Sequence, residues 1–138
     1  MARHSLVPGA MPTILVVDDE APILELVRYT LEDERIRVLE ADDGLKALEV
    51  AFSSRPDLIL LDVQMPRLDG LEVCRRLRAD ASLANTRIVM LTAAGQDADR
   101  ARGLAAGADE YLTKPFSPLA LFTLVRSLLP EATPWPQT

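Results

Sequence analysis

Cysteine, histidine and aromatic residues are scarce in this chain: Cys74 and His4 stand alone among 138 residues, and aromatics make up 4%. A single cysteine closes no internal disulfide, and one cysteine with one histidine cannot furnish a four-ligand zinc centre. So few aromatics argue against β-sandwich and carbohydrate-binding folds. Nowhere does an apolar run approach the roughly 18 residues of a membrane span, and the first residues lack the apolar core and cleavage site of a signal peptide. Basic residues are the minority, 15 Lys and Arg against 21 Asp and Glu, and the net charge of −6 opposes non-specific attraction to nucleic acid or anionic lipid. These absences point to a cytoplasmic protein that touches neither membrane nor nucleic acid directly.

What is present is an ordinary globular balance, 49% hydrophobic and 26% charged, at the length of one domain. Residues 1–12 mix prolines with Gly9, Arg3 and His4 without periodicity and read as a flexible leader or tag remnant. Residues 130–138, PEATPWPQT, read as a Pro-rich tail. Between them, over 13–129, short apolar runs alternate with helical periodicity, as in a chain of βα units.

Thr13–Val17 predicts a first strand, and Pro22, with an acidic residue before it as cap, opens a helix striped by Ile23, Leu26, Val27, Thr30 and Leu31. A weaker strand over 36–40 suits a sheet edge, and after Asp43-Gly44 a helix carries Leu45, Leu48, Ala51 and Phe52. The most apolar strand, 57–62, should be central; past turns at Met65-Pro66 and Asp69-Gly70 its helix presents Leu71, Val73, Cys74 and Leu77. A fourth strand over 87–92 leads through small residues to a helix bearing Ala98, Ala101, Leu104 and Ala105, closed by Ala106-Gly107. A short fifth strand, 109–113, is broken by Lys114-Pro115, and Ser117 caps a helix with Leu121, Leu124, Val125 and Leu128 facing in.

Five such units with right-handed crossovers make a doubly wound α/β three-layer sandwich, whose ligand site lies at the carboxyl ends of the strands. The residues at those ends are Asp18, Asp19, Asp62, Thr92 and Lys114. Singly, each has an ordinary reading: helix caps, a strand-terminal carboxylate, a hydroxyl cap and a solvated amine. Together, three carboxylates a few ångströms apart repel by several kcal/mol even at an effective dielectric of about 20, so the cluster needs a cation or raised pKa values, and a hard divalent ion resolves the repulsion. Oxygen donors without Cys or His select Mg2+ or Mn2+ over zinc. An aspartate there is a nucleophile toward phosphorus, with metal and ammonium neutralising the phosphoryl oxygens. Phosphorylation of Asp62 adds roughly −1.5 to −2 charge, which can draw in Thr92 and Lys114.

The strings ILVVDDE, DLILLDVQMPRLDGLEV, IVMLTA and ADEYLTKPF, in this order and spacing, resemble the receiver domain of bacterial two-component response regulators, similar to single receivers of the chemotaxis type. The resemblance covers 13–129 and implies a flavodoxin-like (βα)5 fold with a five-stranded parallel sheet of order 2-1-3-4-5. It implies that Asp62 is the phosphoacceptor, that Asp19 ligates Mg2+ directly and Asp18 through water, and that the main-chain carbonyl of Gln64 completes the protein's share of the metal shell. Thr92 and Lys114 match the groups that contact the phosphoryl, Tyr111 the aromatic switch position, and Pro115 a cis peptide. Gln64 and Ala94 match positions that tune phosphoryl hydrolysis.

The implied donor is a sensor histidine kinase or a histidine phosphotransfer protein, and the implied target a downstream protein or a fused output domain. The domain would be a signalling switch rather than an enzyme, catalysing only its own phosphorylation and dephosphorylation. His4, in the leader, is no candidate donor. The last helix departs from the Glu and Arg pattern of the DNA-binding regulators' dimer face, offering Leu119, Ala120, Leu121 and Phe122; Phe116, Leu119 and Phe122 form a candidate apolar patch.

Three other readings fit the residues less well. A haloacid-dehalogenase-like phosphatase carries a second Asp two residues after its nucleophile, where this chain has Gln64. A flavodoxin-like cofactor binder needs a phosphate loop rich in Ser, Thr and Gly, where Asp18-Asp19-Glu20 would repel phosphate. A contact-only receiver is disfavoured because all five site positions hold competent residues.

Overall fold

The computed structural model describes residues 11–93 and 97–129; Ala94, residues 1–10 of the expected leader and the expected tail lie outside them. The elements run β1 Thr13–Val17, α1 Ala21–Leu31, β2 Arg37–Ala41, α2 Gly44–Ser54, β3 Leu58–Asp62, α3 Gly70–Arg78, a single 3-10 turn Ala81–Leu83, β4 Arg87–Ala93, α4 Asp97–Ala105, β5 Glu110–Lys114 and α5 Pro118–Leu128. All strand pairs are parallel, in the order β2-β1-β3-β4-β5, so the expected doubly wound fold is the observed one.

Apolar side chains alternate across the sheet as strand geometry requires. Leu15, Val17, Ile59, Leu61, Ile88 and Met90 face α2 and α3, while Ile14, Val16, Leu58, Leu60, Val89 and Leu91 face α1 and α5. Every residue of β3 is buried, which is why its run reads as continuously apolar. Helix starts follow local chemistry: Asp43, Asp69 and Ser117 each accept a backbone N–H three residues on, from Lys46, Glu72 and Ala120, at 2.8, 3.0 and 3.0 Å.

Three expectations need correction. First, α1 begins at Ala21 with Pro22 one place inside it, and Glu20 at its N-cap makes no side-chain cap bond. The Glu20 carboxylate is engaged elsewhere, by Lys114.

Second, Leu45 and Phe52 are exposed on α2, whose inward face is Gly44, Ala47, Leu48 and Ala51. Small residues let this helix lie close; a Cβ at Gly44 would collide with the Leu68 carbonyl. The competing stripe of larger side chains is rotated outward.

Third, Ala98, Ala101, Leu104 and Ala105 of α4 are all exposed. The buried positions are Asp99 and Gly103, with Ala106 just beyond the helix, a spacing of four and three that turns an acid toward the sheet.

At the amino ends of the strands, Arg78 ties α3 to the stretch before β4 and to the loop between α4 and β5. Its guanidinium donates to the carbonyls of Gly107 at 2.8 Å, Thr86 at 2.7 Å, Leu83 at 3.2 Å and Ala84 at 3.3 Å, and pairs with Asp109 at 2.7 Å. Gly107, at φ +112, closes α4 in the left-handed region that glycine tolerates.

Candidate functional site

Strand register brings the candidate residues to one end of the sheet. Val17 and Asp62 end β1 and β3, Asp62 lies beside Leu91, Thr92 lies beside Thr113, and Ala93 beside Lys114. The loops leaving these strands enclose a cavity of about 620 Å3 lined by Asp19, Glu20, Asp62, Thr92, Asp99 and Lys114 among others. This is the crevice where a doubly wound sheet binds ligands.

The acidic centre is compact. One carboxylate oxygen each from Asp18, Asp19 and Asp62 lie within 4.8 Å of one another. Asp18 is fully buried: its Oδ1 accepts the Glu20 N–H at 2.9 Å and its Oδ2 meets Lys114 Nζ at 2.7 Å. Asp19 is exposed at the mouth. Asp62, buried, accepts the Gln64 N–H at 3.3 Å on Oδ1 and faces Lys114 Nζ at 3.4 Å from Oδ2. Burial and, next, the Asp18 charge push the Asp62 carboxyl up to about 6, against the pull of Lys114. Burial works to lower Lys114, yet its pairs with Asp18, Asp62 and Glu20 outweigh this and hold it up at about 12.

These donors suit a hard divalent ion. Three carboxylates with one ammonium leave an excess of negative charge, all on oxygen, and among the described residues no thiolate or imidazole joins the cluster.

The loop between β3 and α3 is clamped at both ends. Gly70 donates its N–H to the Val63 carbonyl at 2.8 Å, and a Cβ there would strike the Asp62 carbonyl. Arg67, in the left-handed region at φ 72, pairs with Asp43 at 3.5 Å. The backbone that carries Gln64 is thereby fixed against the end of β3.

Thr92 is buried and lines the cavity. Tyr111, half-buried on β5, packs against the α2–α3 side of the core, and the Arg100 guanidinium of α4 stacks 3.8 Å from its ring centre. The Lys114–Pro115 peptide is cis. Cys74 is buried, with Sγ 3.5 Å from the Ala106 carbonyl. Phe116 and Phe122 are half-buried against the α1–α5 core, so only Leu119 of the expected apolar patch stands fully out, 73% exposed. Two acidic cavity residues, Glu20 and Asp99, are not among the expected site residues, the sequence marking Glu20 only as a helix cap and part of the acidic run. Asp99 is buried and ion-paired with Arg102 of the next turn. The signal for Asp99 was its place on the Gly103 side of α4; Glu20 has none, because its partner is 94 residues away.

Comparison with known proteins agrees with this geometry. The family model for the response regulator receiver domain matches residues 14–126. The DNA-binding dual master transcriptional regulator RpaA of Synechocystis is 44% identical over 92% of this chain and 53% of its own length. The alkaline phosphatase synthesis transcriptional regulatory protein PhoP of Bacillus subtilis is 47% identical over 84% of this chain and 48% of its own. The chain thus spans about half the length of these curated relatives. Among solved structures, the chemotaxis protein CheY4 of Vibrio cholerae superimposes with a TM-score of 0.81 at 37% identity, covering 87% of this chain and all of its own. Among the described residues no helix is long and apolar enough to cross a membrane. With its parallel sheet, its acidic cavity and a family match over most of its length, this chain belongs to the response regulator receiver domains of two-component signalling.

Proposed function

We propose that this receiver accepts a phosphoryl group from a phosphohistidine onto Asp62. The observation that carries the reading is the meeting of Asp18, Asp19 and Asp62 with Lys114 in one cavity. An Asp62 carboxylate oxygen attacks phosphorus, the phosphorus–nitrogen bond breaks, and the imidazole leaves with the bond's electrons and takes a proton from solvent. The carboxyl, raised to about 6, is ionised at neutral pH and ready as a nucleophile. Asp19, Asp62 and the Gln64 carbonyl would hold Mg2+, with Asp18 acting through water, and Mn2+ would suit the same oxygens. When bound, the ion supplies positive charge to the phosphoryl oxygens.

Lys114 and Thr92 are the groups within this cavity that can bind the product's added charge. Their movement is read by Tyr111, and Gln64 and Ala94 tune how water reaches the phosphoryl. The domain, over 13–129, is a cytoplasmic switch that promotes its own phosphorylation and dephosphorylation and no other reaction. Its donor is a sensor kinase or a histidine phosphotransfer protein. The relatives named as transcriptional regulators are about twice as long, which supports an output domain fused to this receiver, or else a separate downstream protein.

Intact mass after incubation with acetyl phosphate, with and without Mg2+, tests the reading on the protein and on Asp62→Asn. A Mg2+-dependent gain of one phosphoryl mass that the variant lacks is expected. No gain in the folded, metal-loaded protein overturns the acceptor assignment.

A further inference from the structure

We propose that Glu20 is a positioning residue that holds Lys114 in the resting state and must release it when a phosphoryl group arrives. The inference rests on the acceptor reading above and extends it to a residue outside the expected site. Glu20 follows the two aspartates at the N-cap of α1, a position where the shorter Asp, Asn, Ser or Thr bonds the helix's free amides. It makes no such bond. Instead its Oε1 reaches Lys114 Nζ at 3.1 Å, between the pairs that the same ammonium makes with Asp18 at 2.7 Å and Asp62 at 3.4 Å. The backbone supports this turn away from the helix, since the Glu20 N–H is itself taken by Asp18 Oδ1 at 2.9 Å.

The consequence follows from the donor count. An ammonium has three protons to give, and here the carboxylates of Asp18, Glu20 and Asp62 face it; a phosphoryl on Asp62 takes over the Asp62 share and offers further charged oxygens, so Lys114 can turn a second proton to it only by giving up Asp18 or Glu20. Asp18 is fully buried and its charge cannot be abandoned without a large desolvation cost. Glu20 is 60% exposed and passes readily into water. Glu20 is therefore the partner that leaves, and its pair with Lys114 is a small cost set against phosphorylation. Exposed pairs of this kind contribute about 0.2–1 kcal/mol, which converts to a rate effect of up to about fivefold.

The test compares wild type, Glu20→Gln and Glu20→Asp. The chain has only two lysines, so reductive methylation of Lys114 in metal-free protein can be referenced to Lys46 on exposed α2. Glu20→Gln should raise Lys114 labelling about two- to fivefold and raise the phosphorylation rate by acetyl phosphate by a similar factor, with melting temperature lowered by at most about 5 °C. Glu20→Asp, one methylene shorter, turns back to cap α1 and should free Lys114 equally while raising the melting temperature, although it keeps the charge. Unchanged labelling in Glu20→Gln overturns the tether by itself, whatever happens at Asp62. Raised labelling with an unchanged phosphorylation rate overturns the link to phosphoryl transfer. A Glu20→Asp variant that behaves as wild type overturns it too, since charge alone would then be sufficient. Failure of the wild type to gain phosphate, with Lys114 labelling raised in Glu20→Gln, brings down the acceptor reading and this inference with it, while leaving the ion pair established.

Discussion

The two halves of the sheet are built differently. On one side, β1 and β3 are sealed: four of five residues in β1 and all five in β3 are buried. On the other, β5 has no fully buried residue, α4 turns Ala98, Ala101, Leu104 and Ala105 to solvent, and α5 leaves Leu119 out. Asp62 and its acidic neighbours stand on the sealed half and Thr92 is buried on β4, whereas Lys114 and Tyr111 stand on the loose one. A site that must keep its metal ligands fixed while other parts move is well served by that division, because elements with few buried contacts open at low free-energy cost.

The largest expected effect probes the sealed half. Leu60→Ala should cost about 3–4 kcal/mol in denaturant unfolding, while Leu112→Ala on half-buried β5 should cost no more than about 2 kcal/mol. Similar costs at the two sites would erase the contrast. Amide exchange gives a second view: β3 amides should exchange only with global unfolding and those of β5 by local opening.

Next comes Gly70→Ala, whose Cβ would strike the Asp62 carbonyl. A loss of about 2 kcal/mol is expected together with weaker Mg2+ binding, because the acceptor strand end must shift. Retention of full metal affinity would show that the β3–α3 clamp does not position the acidic centre.

The charge on Asp62 works against the fold when no metal is bound. Its carboxyl rises from 3.8 to about 6, so the folded protein holds that proton more tightly than the unfolded chain does. The cost of the ionised group is absent below about pH 4, grows as pH rises through about 6 and is complete above it. Asp62→Asn should then stabilise metal-free protein by about 2 kcal/mol near pH 8, an advantage that fades toward pH 4. Identical unfolding curves at about pH 8 would contradict the burial of that charge. The smallest effect falls on the loose half: Arg100→Gln removes the stack on Tyr111 and should cost only about 0.5–1 kcal/mol, while changing the Tyr111 fluorescence or ring NMR shifts.

Much of this was legible in the chain. Strands buried on both faces announce themselves as unbroken apolar runs, and parallel topology alone selects Asp18, Asp62, Thr92 and Lys114 as neighbours. The face of α2 was legible by half, since Leu48 and Ala51 do turn in while Leu45 and Phe52 turn out, and the face of α4 was not, because two stripes share the helical period. On α2, glycine and alanines take the inner face since closeness to the sheet matters more than side-chain bulk. On α4 the inner position goes to Asp99, an acid that reads as surface until its place at the cavity and its pair with Arg102 are seen. Glu20 was hidden for another reason: a tertiary ion pair across 94 residues leaves no local trace.

Arg78 anchors the end of the molecule opposite the site. Because one guanidinium ties α3 to the carbonyls around β4, to the close of α4 at Gly107 and to Asp109 ahead of β5, the far ends of α4 and β5 are held at a common point. Those two elements therefore share a fixed point at the end of the sheet opposite the cavity. If Thr92 and Lys114 shift on phosphorylation, as the proposed function has it, a fixed point at Arg78 would turn the response of α4 and β5 into a tilt, widest beside the cavity and smallest at Arg78.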